Sequence, residues 1–157
     1  MDFIKVLAYI LITVGILQWF QPTVKYDDLS LKKCWQSNWT IHGWWPDHNK
    51  TSWPQFCDPR RYSEFNVTYL EEKLGDRLRQ WWSPCPEWKQ PAEHFWQHEW
   101  EKHGTCTNNT PLEYFGRTLN IFQKARAKKW YGCCGKYEAG QCLLHFNKTT
   151  DQWLGVC

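Results

Sequence analysis

The chain has 157 residues and a formal net charge of +3. This length suits one domain with a buried core, and the charge is too small for composition alone to indicate a nucleic-acid-binding protein. The 13 tryptophans, seven tyrosines and eight phenylalanines predict an unusually aromatic core or binding surface. Protonation of the six histidines would increase any affinity for a polyanion in acid.

The N-terminal region contains an apolar segment over residues 6–17, which follows Lys5 and is interrupted only by Thr13 and Gly15. Its length suits the hydrophobic part of a signal peptide and is too short to span a bilayer. We therefore expect a signal peptide over residues 1–15, a single domain over residues 16–157, and no stable membrane span.

Two further features favour export from the cell. The eight cysteines are an even number, which favours disulfides in an oxidising compartment. N-x-[S/T] sequons predict N-glycosylation at five positions: Asn38, Asn49, Asn66, Asn108 and Asn147. We expect a secreted glycoprotein, or one in the lumen of an acidic secretory or lysosomal compartment.

The first half of the chain predicts short strands followed by a helix. Residues 18–62 are rich in Trp, Pro, Asn and Asp and predict short strands and loops. We expect one strand to end near residues 42–43 and a turn to follow at residues 45–47, because Pro46 disfavours the helical conformation of the preceding residue. Leucines that recur every four residues predict a helix over residues 64–82.

The second half predicts two more helices and a strand-rich tail. One helix is expected over residues 92–103, ended by a glycine cap. The next begins at residues 110–113, which form a capping box with proline at the first helical position. Residues 131–157 predict strands and turns, with residues 143–146 and 153–156 paired as a hairpin. Because the helices are grouped rather than alternating with strands, the pattern predicts an α+β fold.

The helix predicted over residues 92–103 carries a stripe of titratable side chains. At about 100° per residue, five side chains fall within one arc of about 140°: Phe95, His98, Glu99, Lys102 and His103. Trp96 and Trp100 lie beside this arc and are expected to face the core. A polar stripe flanked by large apolar side chains indicates a catalytic face.

These residue types suit the cleavage of RNA by its own 2′-hydroxyl. That reaction needs a base for the 2′ proton, an acid for the 5′-oxygen leaving group, and cations or hydrogen-bond donors around the phosphorus. Histidine suits both proton-transfer roles because its ordinary pKa lies near 6.5, and His42 supplies a histidine outside the helix. We expect no metal and no other cofactor.

Zinc binding is the obvious chemical alternative. His98 and Glu99 begin like the H-E-x-x-H motif, but the next histidine, His103, is five residues on instead of four. Lys102 occupies the fourth position and would repel a metal ion. Nucleophilic cysteine chemistry is also disfavoured, because cysteines of secreted proteins are normally paired.

The same features have ordinary structural interpretations. The stripe could be a solvated helix face, His42 a loop or core residue, and the tryptophans core residues. Two other functions fit such a chain: a catalytically weak secreted glycoprotein that binds RNA, carbohydrate or a receptor, and a tryptophan-rich carbohydrate-binding module. The remaining histidines are expected to be surface residues: His48, His94 and His145.

Two segments resemble the active-site segments of the ribonuclease T2 family. They are W-T-I-H-G-W-W-P-D over residues 39–47 and F-W-Q-H-E-W-E-K-H-G-T-C over residues 95–106. Shorter matches at residues 53–57, 78–82 and 114–119 extend the similarity over roughly residues 34–125.

The resemblance implies a role for each catalytic candidate. His103 would be the base of the first step and His42 the acid. Glu99 and Lys102 would polarise the phosphate and stabilise the transition state, and His98 would position the phosphate.

The resemblance also implies a substrate and its binding residues. Trp45 and Asp47 would line one base subsite, and Phe95 would stack in the other. The substrate would be single-stranded RNA, the first product a 2′,3′-cyclic phosphate, and the working range acidic. DNA would be inert because it lacks the 2′-hydroxyl. We expect a monomer.

The implied scaffold is an α+β fold with a central antiparallel sheet and grouped helices. The resemblance supports two disulfides, Cys57–Cys106 and Cys142–Cys157. This chain departs from the family where the segment over residues 18–25 has no cysteine, so that Cys34 loses its usual partner. It departs again over residues 128–141, which replace a helix and a strand, so we expect a fold truncated there. Four cysteines have no assigned partner: Cys34, Cys85, Cys133 and Cys134.

Overall fold

The computed structural model describes residues 26–34, 39–47, 53–136 and 140–155. Within these ranges we number three strands and three α-helices in chain order: β1 (Tyr26–Lys33), β2 (Trp39–Pro46), α1 (Val67–Trp81), α2 (Ala92–Lys102), α3 (Pro111–Ala127) and β3 (Gln141–Asn147). Short 3-10 helices lie between them: Pro59–Glu64, Pro86–Trp88, Gly104–Cys106 and Trp130–Lys136. The expected signal peptide, His48, and the sequons at Asn38 and Asn49 fall outside the described residues.

The three described strands form one antiparallel sheet in the order β2-β1-β3. This arrangement confirms the predicted α+β fold class. The central strand β1 places Leu29 opposite both Trp44 and Leu144, and all three side chains are buried in the hydrophobic core. Because alternate residues of a strand face opposite sides, this register directs one face of the sheet towards the core.

β2 contains a bulge at His42. Its neighbours Ile41 and Gly43 pair with Leu31 and Ser30, which are consecutive residues of β1. His42 is therefore the additional residue on its strand. A bulge redirects the side chain that it carries, and bulges are common beside functional sites.

β2 is longer than the sequence predicted. Pairing with β1 does not stop near residues 42–43 but continues to Pro46, and the turn expected at residues 45–47 is absent from the strand. Proline is tolerated there because β2 lies at an edge of the described sheet, where a missing backbone N–H matters least.

The α-helices lie close to their predicted ranges. α1 begins after Asn66, whose side chain accepts a hydrogen bond from the backbone N–H of Tyr69 (3.0 Å). α3 begins with the predicted capping box, in which Thr110 and Glu113 each accept a hydrogen bond from the other's backbone N–H. In the part of the chain that the structure describes, no helix is both long and apolar enough to cross a membrane.

The tail is less strand-rich than predicted. The 3-10 helix Trp130–Lys136 occupies its beginning, and β3 starts only at Gln141. Phe146 then forms an isolated antiparallel bridge with Trp153, which confirms the expected hairpin in part. The rings of Trp130 and Trp153 stack with centroids 5.1 Å apart, so the shortened segment packs against the hairpin.

Three disulfides join described cysteines: Cys34–Cys85, Cys57–Cys106 and Cys134–Cys142. The second is the pairing that the resemblance implied. The third shows that the expected bond between Cys142 and Cys157 is wrong, because Cys142 is bonded to a cysteine whose Cα lies 5.3 Å away. The first pairs Cys34 with Cys85, two cysteines to which the sequence assigned no partner.

The core is rich in aromatic rings whose polar atoms bond to the backbone of β2. The indole N–H of Trp82 donates to the carbonyl oxygen of His42 (2.9 Å). The hydroxyl of Tyr114 donates to the carbonyl oxygen of Trp44 (2.9 Å). Buried Trp and Tyr usually find such partners, and here the bonds hold the backbone on both sides of Gly43.

Candidate functional site

The bulge in β2 presents the His42 ring to an aromatic wall. The imidazole lies 5.2 Å from the ring of Trp45, 5.3 Å from that of Trp88 and 5.9 Å from that of Phe95, measured between centroids. Its side chain retains 25% of its accessible surface. His42 is therefore held by neighbouring rings yet remains open on one side.

The C-terminal end of α2 positions His103. This residue is the C-cap, and its backbone N–H donates to the carbonyl oxygen of Glu99 (3.0 Å). At Gly104, a Cβ would lie 2.2 Å from the ring of Trp100. Only glycine fits at this point, so the chain can leave the helix immediately after His103.

Glu99 connects the helix to the strand. Its Oε1 lies 3.9 Å from Nε2 of His42, and its Oε2 accepts a hydrogen bond from the indole N–H of Trp45 (3.3 Å). A Cβ at Gly43 would lie 2.0 Å from Glu99 Oε2 and 2.4 Å from Trp45 Nε1. The glycine that follows His42 is thus required for the carboxyl group to approach the strand.

Burial changes the protonation of Glu99. The residue is 1% exposed, and burial raises the pKa of its carboxyl group to about 8, although the hydrogen bond from Trp45 and the charge of Lys102 oppose the shift. The carboxyl group is therefore neutral in acid. In that state it can donate a hydrogen bond instead of repelling an anion.

Burial lowers the pKa of both predicted proton-transfer histidines, to about 4 for His42 and to about 3 for His103. The nearby positive charge of Lys102 adds to each shift. Nδ1 of His42 and both ring nitrogens of His103 are buried without a hydrogen-bond partner among the described residues. Above these pKa values both rings are neutral in the free protein, and no hydrogen bond from the described residues competes for these nitrogens.

His98 lies at the outer edge of the site. It is exposed, and its ring contacts that of Phe56 edge-on at 6.2 Å. Burial and the charge of Lys102 lower the pKa of His98. The backbone N–H of Phe56 donates to the carbonyl oxygen of Lys102 (2.9 Å), which ties this segment to the end of α2.

Trp45 forms the centre of an aromatic surface beside His103. The two rings stack with centroids 5.1 Å apart and an interplanar angle of 24°. The ring of Trp53 contacts that of Trp45 edge-on, with centroids 6.1 Å apart. The indole N–H of Trp53 donates to the carboxylate of Asp28 (2.9 Å), which also bonds to His145. His145, which we expected to be a surface residue, is half-buried against this carboxylate.

The other two predicted subsite residues are enclosed. Asp47 is 3% exposed, and its hydrogen bond contributes, after burial, to raising the pKa of Tyr26 to about 12. Phe95 is 2% exposed and lies under Trp88, with ring centroids 5.5 Å apart. Neither side chain has an open face towards the cleft.

The structure brings His42, Glu99 and His103 together and adds two tryptophans that the sequence analysis did not name as site residues, Trp53 and Trp88. Trp53 belongs to the short match over residues 53–57, which could have suggested it. Trp88 lies in a 3-10 helix with no periodic pattern, so only the structure reveals that it contacts His42.

Comparisons with known proteins show which family this chain belongs to. The sequence profile of the Ribonuclease T2 family matches residues 12–135. The chain is 33% identical over 113 residues to Ribonuclease Trv from Hypocrea rufa, covering 62% of this chain and 48% of that protein. It is 36% identical over 94 residues to Ribonuclease T2 from Sus scrofa, covering 55% and 42%.

A solved structure extends the similarity to the fold. RNase NT in complex with 5′-AMP superimposes with a TM-score of 0.62 at 20% identity, covering 85% of this chain and 90% of that one. The curated relatives are longer. Alignment with Ribonuclease T2-like from Aspergillus fumigatus, 34% identical, covers 55% of this chain but 25% of the relative. The chain spans about a quarter to a half of the relatives it matches.

Proposed function

Because the chain belongs to the ribonuclease T2 family, we propose that it is an endoribonuclease that cleaves single-stranded RNA by transphosphorylation without a metal. The observation that carries this proposal is the meeting of His42, Glu99 and His103 at the bulge. Glu99 lies 3.9 Å from His42 and bonds to Trp45, which stacks on His103.

Two proton transfers define the first reaction. Neutral His103 takes the proton of the 2′-hydroxyl, whose oxygen attacks the adjacent phosphorus. The bond from phosphorus to the 5′-oxygen breaks, and protonated His42 gives its proton to that oxygen. The products are a 2′,3′-cyclic phosphate and a free 5′-hydroxyl. Hydrolysis of the cyclic phosphate reverses the two histidine roles, with water in place of the leaving group.

Binding of the RNA phosphate favours the protonated form of His42. A phosphate close to a histidine raises its pKa, because the anion favours the protonated ring. The low pKa of His42 in the free protein, about 4, therefore rises when RNA binds. An acidic medium further favours the protonated form, which supports an acidic working range.

The remaining polar side chains stabilise the negative charge around phosphorus. Neutral Glu99 donates a hydrogen bond to a phosphate oxygen, Lys102 contributes its positive charge, and His98 positions the phosphate from the edge of the site. Trp45 stacks on the base whose ribose carries the attacking hydroxyl, and Asp47 orders the end of β2 behind it.

Secretion and glycosylation complete the proposal. The three disulfides between described cysteines support an oxidising compartment, either extracellular or in an acidic secretory or lysosomal lumen. The sequon residues Asn66 and Asn108 are exposed, as glycosylation requires. Asn147 caps the hairpin turn through its side-chain oxygen. The protein acts as a monomer on RNA and leaves DNA intact.

The test is a cleavage assay on the purified full chain. Single-stranded RNA and DNA of matched sequence are incubated with EDTA at pH 5 and pH 7.5, beside a His103→Phe variant. We expect RNA cleavage at pH 5 to yield 2′,3′-cyclic phosphate ends, to survive EDTA, and to fall at least about 100-fold in the variant. DNA should remain uncut.

Three results would overturn the proposal. Cleavage that requires a metal contradicts the mechanism, and so does cleavage that persists in the His103→Phe variant. If the folded wild-type protein cleaves no RNA at either pH, the chain acts by binding RNA, carbohydrate or a receptor instead. Circular dichroism of each protein confirms that it is folded.

A further inference from the structure

Phe95 is poorly placed to stack on a base. Its ring belongs to the hydrophobic core, and the residue is 2% exposed. Trp88 covers it edge-on, with the ring centroids 5.5 Å apart. Stacking requires an open ring face, because the attraction depends on contact between two planar surfaces. A base could reach Phe95 only after Trp88 had moved away.

Trp88, unlike Phe95, is partly exposed beside His42. Its side chain packs partly against the core and is half-buried. Its ring centroid lies 5.3 Å from that of His42, at an interplanar angle of 50°. Trp88 is therefore the outer ring beside His42, just as Trp45 is the ring stacked on His103.

The chain holds Trp88 firmly. It ends the 3-10 helix Pro86–Trp88, and its backbone N–H donates to the carbonyl oxygen of Cys85 (2.9 Å). Cys85 is 1% exposed and is bonded to Cys34 immediately after β1. Trp88 is thus attached through one disulfide to the strand that pairs with β2, which carries His42.

We propose that Trp88, rather than Phe95, is the surface on which the second base of the RNA stacks, held in place by the Cys34–Cys85 disulfide. The inference rests on the proposed function, because it depends on the roles of His42 as the acid and His103 as the base. His42 protonates the 5′-oxygen of the downstream nucleoside, so a ring beside His42 meets the downstream base. Trp45, beside His103, meets the upstream base.

The experiment compares two substrates of the full-length protein. A dinucleoside monophosphate has both bases, whereas a 2′,3′-cyclic mononucleotide lacks the downstream base. Trp88→Ala should lower the ratio of kcat/KM for the dinucleotide to kcat/KM for the cyclic mononucleotide between about 5-fold and 100-fold. Trp88→Phe should retain most dinucleotide cleavage. Trp153→Ala, a tryptophan loss in the hairpin, should leave the ratio of the two activities unchanged.

The ratio separates base stacking from folding, because a loss of folded protein lowers both activities equally. An equal loss on both substrates in Trp88→Ala, or no loss on either, overturns the inference. So does a change of the ratio in Phe95→Leu but not in Trp88→Ala, which would return the subsite to Phe95.

A binding measurement distinguishes failure of this inference from failure of the proposed function. Adenosine 5′-monophosphate is titrated into wild-type protein and Trp88→Phe while tryptophan fluorescence is recorded. We expect quenching in the wild type that is largely absent from the variant. If the wild type cleaves neither substrate but shows this quenching, the nuclease proposal fails and the subsite stands. Equal quenching in both proteins, or none in the wild type, overturns the subsite.

Discussion

Glu99 brings a carboxyl group to the place where the proposed mechanism puts a phosphate. An ionised carboxylate would repel that phosphate, but burial raises the pKa of Glu99 to about 8. Keeping this carboxyl group neutral lowers the stability of the folded protein near neutral pH. In the unfolded chain this carboxyl group ionises near its ordinary pKa, so folding near neutral pH must take up a proton.

This conflict predicts a stability gain on replacing Glu99 by glutamine. Folded Glu99 has the higher pKa, so its contribution to stability is fully present below the unfolded pKa and is lost as pH rises towards 8. Glutamine does not titrate. The free energy of unfolding of Glu99→Gln relative to wild type should thus be about 3 kcal/mol more favourable at pH 7 than at pH 4. Urea denaturation at both pH values measures this difference.

His42 and His103 have the opposite linkage, but they do not obscure the comparison. Their folded pKa values are lowered, so the stability they contribute is present above pH 6.5 and is lost as pH falls. Because both proteins contain these histidines, the effect largely cancels between wild type and Glu99→Gln. An identical difference at pH 4 and pH 7 would show that the carboxyl group is not held neutral by burial.

The site depends on a feature of β2 that the local sequence does not reveal. The bulge at His42 arises because β2 continues to Pro46 while gaining one residue relative to β1. The sequence predicted a turn there because Pro46 restricts the conformation of the residue before it, and that restriction depends only on the local chain. Pairing with β1 overrides it, and the pairing is a long-range contact.

The helix α2 illustrates the opposite case. Its 3.6-residue periodicity was sufficient to place His98, Glu99 and His103 near one another, since that grouping needs only helix geometry. Periodicity cannot separate the exposed His98 from the buried Glu99. That difference, and the pKa shifts that follow from it, depend on which part of the arc packs against β2.

The Cys34–Cys85 disulfide joins two elements and should matter for stability and for substrate choice. Replacing both cysteines by alanine removes a crosslink across 51 residues, which should lower the free energy of unfolding by about 4 kcal/mol on the chain-entropy model. It should also reduce dinucleotide cleavage relative to cyclic phosphate hydrolysis, because Trp88 loses its attachment to β1.

A matched double variant provides the control. Cys134→Ala with Cys142→Ala removes a crosslink across 8 residues, for which the same model gives a smaller loss, about 2.5 kcal/mol. The substrate ratio should not change, because this bond joins β3 to the 3-10 helix Trp130–Lys136, and neither element carries Trp88. Equal destabilisation of the two double variants together with the same substrate ratio would contradict the assigned role of Cys34–Cys85.

A small sheet and an aromatic core support the site. Residues 128–141, where we expected a truncated fold, contain a 3-10 helix that is closed by the Cys134–Cys142 disulfide and by stacking of Trp130 on Trp153. The family and fold class could be predicted because the two long motifs determine them. The tail could not, because its disulfide depends on how the shortened chain closes. The single-domain boundary at residue 16 remains a prediction.

The roles of His103 as the base and His42 as the acid are tested most directly with a modified leaving group. An RNA substrate carrying sulfur in place of the bridging 5′-oxygen needs no acid, because a thiolate leaves without a proton. His42→Ala should cleave ordinary RNA at least about 100-fold more slowly than wild type but approach the wild-type rate on the sulfur substrate. His103→Ala should be slow on both. Equal deficits of the two variants on both substrates would contradict the assignment.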